Sequence, residues 1–410
     1  MNKDIIRNVL FLFLEKVITI ILVFYSEGMI ARMLSVEEYG QWIYSVNFVL
    51  LLSSLSLIVG SEISVVSLAR NKIISGQIIV SVFLIRLIFS LVAFFICVFY
   101  AYYYIHNDVT KKFVLILSFV LIFSETFGVI SNYFQANVRM LPIIVIRILG
   151  LITRTLVILI CFYWLQSDKL LIGLSRVIEV LIVSLLLVFL FLKLRRKLVF
   201  SLNLQIIKVI FYRGLKLWPA LVFMYLFQRI DRFFIEKYFS YEVLSQYGIA
   251  VQLMEQAFLL IGIVVQSISP KLIYAKLSKI ELKKNILILL VITLCVSGVF
   301  YISGYLAIPY MINFIYGDKY LLAIDLSRIM LITLFLFSLD TVVMQYLYRE
   351  KMANYILIKW VILSLISSLN YYLLLEIFKI DSLTIVYIIN YCFMAAFSIS
   401  ILLRRLRSEY

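Results

Sequence analysis

Arg147 and Arg154 stand seven residues apart in one apolar run. On a helix that spacing puts them on one face, two turns or about 10.5 Å from each other. Arg86 sits centrally in another run and Lys359 toward one end of a third. Arg229 and Arg232 share a face of a fourth, while Asp231 points elsewhere. A guanidinium stays charged at any accessible pH, and its fork of donors matches phosphate oxygens two at a time. Cations held in apolar surroundings therefore suit an anionic ligand. Acids lie in the same kind of run: Glu27, Glu125, Asp231, Glu255 and Asp340. Desolvation raises the pKa of a buried carboxylate, so any of the five is a candidate carrier of H⁺ or partner of Na⁺. Glu125, Glu255 and Asp340 are equally candidates to neutralise the cations structurally.

Other chemistries lack their residues. The chain has one histidine, His106, which leaves no histidine-based metal site or hydrolytic triad. The four cysteines, Cys97, Cys161, Cys295 and Cys392, sit singly in apolar runs, without CxxC spacing, and read as small buried hydrophobes. No nucleotide-binding motif occurs. The expectation is a protein that is not an enzyme, with no resident cofactor or metal.

The elements that must position these residues are helices in a membrane. Of 410 residues, 64% are hydrophobic and the mean hydropathy is +1.09, which excludes a soluble domain. Twelve apolar runs, most about 20–30 residues long, are each sufficient to cross a ~30 Å hydrocarbon core as a helix. The tails and every second loop hold more than half of the 38 Lys and Arg and few acids, whereas the other loops are slightly acidic. Basic loops stay on the cytoplasmic side, so both termini are expected in the cytoplasm. The net charge of +16 is thus a topological signal and not a nucleic-acid footprint. The first run is too long for a signal peptide and is read as a retained span.

Helices are expected near 9–33, 41–66, 74–104, 113–137, 143–165, 170–192, 217–240, 244–270, 286–308, 322–348, 353–375 and 383–403. Pro142 and Pro219 are placed at helix starts, Pro270 and Pro309 at helix ends. The basic stretch Lys193–Lys216 divides the chain into an N-terminal lobe, 1–200, and a C-terminal lobe, 201–410. A weak repeat follows that division. Glu27 precedes Ser35 and Tyr39-Gly40 as Asp231 precedes Ser240 and Tyr247-Gly248, and Arg139/Arg147 match Lys351/Lys359. An even number of spans per half gives the halves parallel topology. Some charges are expected to be structural. Glu15 and Lys16 can snorkel to the inner interface, Arg176/Glu179 and Asp325/Arg328 can pair along a helix, and Glu62 lies near an inner end. Trp42, Tyr100–Tyr104, Trp164 and Trp218 are read as interfacial belt residues.

Several local phrases carry a family resemblance: Leu34-Ser-Val-Glu-Glu-Tyr-Gly40, Gln228-Arg-Ile-Asp-Arg232 followed by Tyr247-Gly-Ile-Ala250, Ser269-Pro-Lys271, and Phe314-Ile-Tyr-Gly-Asp-Lys-Tyr320. In order and spacing the chain resembles the Wzx-type polysaccharide flippases of the multidrug/oligosaccharidyl-lipid/polysaccharide exporter superfamily. The resemblance implies an all-α polytopic membrane protein of about 12 transmembrane helices, in two six-helix lobes around a central cavity. It implies alternating access in the bacterial inner (cytoplasmic) membrane, with an undecaprenyl-diphosphate-linked oligosaccharide as cargo and a polysaccharide polymerase and chain-length regulator as partners. On that reading Arg86, Arg147, Arg154, Arg229, Arg232 and Lys359 line a cationic vestibule for the diphosphate. Two alternatives remain at this stage. A cation-coupled drug exporter of the same fold would want acids in an apolar cavity, and a polytopic O-antigen polymerase or ligase would want a large outward loop. The lipid II flippases generally have additional spans.

Overall fold

The computed structural model describes residues 3–164, 169–194, 200–275 and 278–407. All its regular elements are helical. They run α1 Lys3–Met33, α2 Val36–Ser56, α3 Ser61–Arg70, α4 Ser75–Tyr103, α5 Asp108–Ala136, α6 Leu141–Trp164 and α7 Leu170–Leu194, then α8 Leu204–Tyr238 and α9 Tyr241–Leu272. The remainder are α10 Lys279–Ile315, α11 Leu321–Met330, α12 Thr333–Arg349, α13 Ala353–Phe378 and α14 Ser382–Arg407. Eight stretches of the described residues are long and apolar enough to cross a membrane, or nine if the bent pair α11/α12 counts as one. One of the eight, 353–404, contains both α13 and α14, which pack on each other. The long helices α1 and α8 fall outside that count, and the chain is a multi-pass membrane protein. Its exterior is correspondingly apolar: Phe95 is 65% exposed and Leu185 67%. A soluble protein would bury such a surface; in lipid it faces its solvent.

Helix starts are written locally. Ser35 accepts from the Glu38 backbone N–H while Glu38 answers at the Ser35 N–H, closing a capping box at α2. Ser240 caps α9 through Val243 N–H, at the corresponding point of the second half. Asn107 caps α5 by accepting from Val109 and Thr110.

Two expected spans are broken. The helix expected over 41–66 ends at Ser56, passes through a 3-10 turn at Leu57–Val59, and restarts after the extended Gly60. A break inside the membrane frees carbonyls that no water satisfies, so protein donors must. Arg86 on α4 supplies them: its Nε and Nη2 donate to Val59 O at 3.0 and 2.6 Å. Gly214 of α8 approaches the same break so closely that a Cβ there would stand 2.3 Å from Ile58 O. The second break separates α11 from α12, which bend by 46°.

Two prolines lie elsewhere than expected. Pro219 and Pro309 stand inside α8 and α10 and not at their ends. α8 begins at Leu204 because Ile206, Ile207, Ile210 and Phe211 form an apolar face packed on the core around Ile58 and Ile79. Burial of that face outweighs the local polar signals that mark the stretch as a linker.

The chain divides into two compact units, Met1–Tyr225 and Leu226–Tyr410. The division falls within α8, later than the basic stretch suggested. In the first unit α5 packs against α2, α3, α4 and α7, while α6 packs against α1 and α7. In the second, α12 packs against α9, α10 and α14, with α13 on α14.

Candidate functional site

In the first unit the sequence brings charges together on three helices. Glu15, Thr19, Val23 and Glu27 follow at intervals of four along α1 and therefore share a face. That face meets α6, which carries Arg147, Leu151 and Arg154, and α6 meets α7, which carries Arg176 and Glu179. Gly150 makes the second approach possible: a Cβ there would stand 2.3 Å from Val183 Cγ2.

Arg154 is 1% exposed, and its Nη2 donates to Glu27 Oε1 at 2.6 Å, with Glu179 Oε2 3.9 Å from its Nε. The other Glu27 oxygen accepts from Trp42 Nε1 at 3.0 Å. Arg154 is therefore committed to a buried ion pair, and its partner is Glu27, not an acid of the Glu125 group. Trp42, expected at an interface, is 1% exposed and serves as a donor within the bundle. Trp218, likewise expected at an interface, donates to Ser54 O at 3.0 Å.

Arg147 is different. Its side chain is 44% exposed, and its one described ion pair, Nη1 to Glu15 Oε1, is 3.5 Å long. It opens on an open-sided cavity of about 330 Å³ lined by residues of α1, α5, α6 and α7. The charged wall consists of Lys16, Arg147 and Arg176 against Glu15 and Glu179, with Ser124 and Ser184 as polar neighbours and Leu151, Val180 and Val183 as apolar ones. Glu179 accepts from Arg176 Nη1 at 3.3 Å, the helical pair expected from their spacing. Glu15 does not snorkel: it is 2% exposed, because α6 and Arg147 cover it.

Arg86, expected in the vestibule, is spent on backbone. Besides Val59 O it donates from Nη1 to Glu125 O at 2.9 Å. The Glu125 carboxylate lies beside Arg86, within the electrostatic reach of Arg147 as well.

The second unit gathers its own cluster. Arg229 and Arg232 both donate to Glu255 Oε1 at 2.8 Å. Arg232 Nη1 also meets Asp231 Oδ1 at 2.8 Å, so the neighbours converge on one point although their side chains leave the helix in different directions. Tyr247 OH donates to Asp231 Oδ2 at 2.7 Å and lies 3.3 Å from Tyr371 OH. Tyr387 packs on Tyr247 at 6.3 Å and Tyr391 on Phe258 at 5.2 Å, closing the cluster with aromatic rings. Separately, Lys359 forms a fully buried ion pair with Asp340, which also accepts from Ser398. Arg328, expected to pair with Asp325, instead donates to Tyr305 O and covers the Tyr305 ring at 4.6 Å.

The candidate cations thus fall into separate groups, all ion-paired except Arg86, which bonds backbone carbonyls, with Arg147 the most exposed of them. The repeat has a geometric counterpart. In each unit an acid near the end of the first helix (Glu27, Asp231) accepts from an aromatic donor on the next (Trp42, Tyr247) and pairs with arginine. Glu15, Glu179, Trp42 and Tyr247 were not singled out from sequence as site residues. The four-residue stripe on α1 is the signal that would have found Glu15. Among the described residues no group of His, Cys, Asp and Glu could hold a metal ion.

The pattern of the polysaccharide biosynthesis protein family matches residues 29–325. No curated protein matches the sequence. Among solved structures, an inward-facing multidrug resistance MATE family transporter of the MOP superfamily is similar, with TM-score 0.73, 13% identity, and 94% of this chain and 95% of that one covered. The lipid II flippase MurJ in an inward closed conformation gives TM-score 0.74 at 15% identity, over 97% of this chain and 87% of that one. A MOP superfamily transporter from Pyrococcus furiosus, described as having a binding pocket of reversed polarity, gives 0.72 at 12%, over 98% and 96%. At these identities the likenesses establish the fold, which is MATE-like.

Proposed function

We infer, for a chain that belongs to the polysaccharide biosynthesis protein family, that it moves an oligosaccharide joined to a polyprenyl diphosphate across the bacterial cytoplasmic membrane. The observation that carries the reading is the cavity of the first unit: a membrane-embedded pocket with three cations against two carboxylates, one of them the half-exposed Arg147. A diphosphate entering it exchanges a long Arg147–Glu15 contact for charge-assisted bonds to a planar fork. Arg176 and Lys16 stand on the same wall. The prenyl chain stays in lipid, and no bond is made or broken in the cargo. Arg154, Arg86 and Lys359 hold helices together on this reading, and Arg229 and Arg232 serve a paired cluster in the second unit. Both termini lie in the cytoplasm, and a polymerase and chain-length regulator act on the delivered units. Glu27, Asp231, Glu255 and Asp340 are already ion-paired, which leaves Glu125 the acid best placed to exchange H⁺ or Na⁺.

Deletion of the gene tests the reading. Lipid-linked repeat units should accumulate on the inner leaflet and surface polysaccharide should disappear. Normal surface polysaccharide with altered drug sensitivity would favour a multidrug exporter of the same fold.

A further inference from the structure

The cavity of the first unit contains a feature that a phosphate alone does not explain. Glu15 is 2% exposed, and its Oε2 has no hydrogen-bond partner. Its other oxygen meets Arg147 at 3.5 Å, near the limit of a hydrogen bond. A buried carboxylate oxygen left unpaired is costly, and a ligand that brings a donor removes the cost. A fully ionised phosphate brings none and is repelled by the carboxylate. The cation wall and the free acceptor are adjacent, so the fitting ligand carries an anion and a donor on neighbouring atoms.

We propose that this cavity senses whether the lipid carrier is loaded: Arg147 and Arg176 take the phosphate, and Glu15 accepts a hydrogen bond from the sugar attached to it. The inference rests on the function proposed above and adds the discriminating residue. In a glycosyl diphosphate, the hydroxyl or acetamido N–H at C2 lies beside the anomeric oxygen, which is the adjacency that the Glu15–Arg147 pair presents. The cavity's size agrees. At about 330 Å³ it is at the low end of the ~300–1,000 Å³ typical of small-molecule sites, enough for a first sugar and its phosphate but not for an oligosaccharide. The remaining sugars would lie outside it, so the site reads the presence of a sugar without reading the repeat unit. A transporter built this way moves loaded carrier outward and leaves the sugar-free prenyl diphosphate, the leaving group when a sugar is transferred off such a carrier, unbound.

The test uses purified full-length protein in lipid nanodiscs and three probes: a short-chain prenyl phosphate, the corresponding prenyl diphosphate, and that diphosphate bearing one N-acetylglucosamine. A charge-assisted hydrogen bond corresponds to about ten-fold or more in affinity. The native protein should therefore bind the glycosylated probe at least about ten-fold more tightly than the bare diphosphate. Glu15→Gln keeps the volume and removes the repulsion; it should strengthen binding of the bare diphosphate and narrow the preference. Glu15→Ala should abolish it. An unchanged preference in either variant, with thermal unfolding like the native protein's, overturns the proposal. So does a native protein that binds both diphosphates equally, a result that needs no variant. Failure of the underlying function reads differently: none of the three probes would bind.

Discussion

Replacing Arg154 by methionine removes one partner of a buried ion pair and leaves Glu27 behind. Glu27 then keeps one bond, from Trp42 Nε1 at 3.0 Å, and loses the 2.6 Å bond from Arg154 Nη2. Glu179 is less affected, because Arg176 still holds it at 3.3 Å. Breaking a buried pair from one side costs about 3–5 kcal/mol, chiefly from the uncompensated charge. Making the second change, Glu27→Gln, removes that charge, and the amide oxygen can still accept from Trp42. The double variant should therefore recover most of the loss, with a coupling of about 2–4 kcal/mol, well beyond the ~0.5 kcal/mol within which independent sites add. Unfolding of the single and double variants in detergent, alongside export measured in cells, gives the cycle. Effects that simply add would refute the ion pair as the reason Arg154 is there. A double variant that is stable yet does not export would refute it too, by assigning Arg154 to the ligand.

Gly150→Ala should destabilise the first unit by about 1–3 kcal/mol, because its Cβ would overlap Val183 Cγ2 at 2.3 Å and push α6 from α7; thermal unfolding reads this directly. Lys359→Met should lower stability sharply, and Asp340→Asn added to it should restore much of the loss, since the pair is fully buried between α12 and α13. Reporter fusions at Lys208 and Lys279 should lie in the cytoplasm and those at His106 and Asp318 outside; one reversal in mid-chain breaks the topology.

The spans were legible because apolar runs of membrane length have few alternatives, and the Ser35 and Ser240 caps because short polar side chains before an apolar run bond the exposed N–H groups. The breaks were not legible. Gly60 alone does not announce one, and sequence does not mark Arg86 as structural because its partners are backbone carbonyls, which every sequence contains. Pro219 misled for a related reason: tertiary burial of Ile206, Ile207, Ile210 and Phe211 extends α8 well before it. At the site, spacing put Arg147 and Arg154 on one helix face, but neighbours on other helices separate their roles. Glu27 takes Arg154 through one short bond at 2.6 Å, while Glu15 holds Arg147 at 3.5 Å. Trp42 was given to the interface because tryptophan is common there, and nothing local signals that its N–H meets Glu27.

The most direct test of the account is export by Arg147 variants at matched protein abundance. Arg147→Ala leaves the buried Glu15 without its ion pair and should cost some stability; at matched abundance it should lower surface polysaccharide strongly and accumulate lipid-linked repeat units inside, while Arg147→Lys should restore export only in part, since an ammonium keeps the charge and loses the fork. Full surface polysaccharide from Arg147→Ala, with protein at the native level, would contradict it.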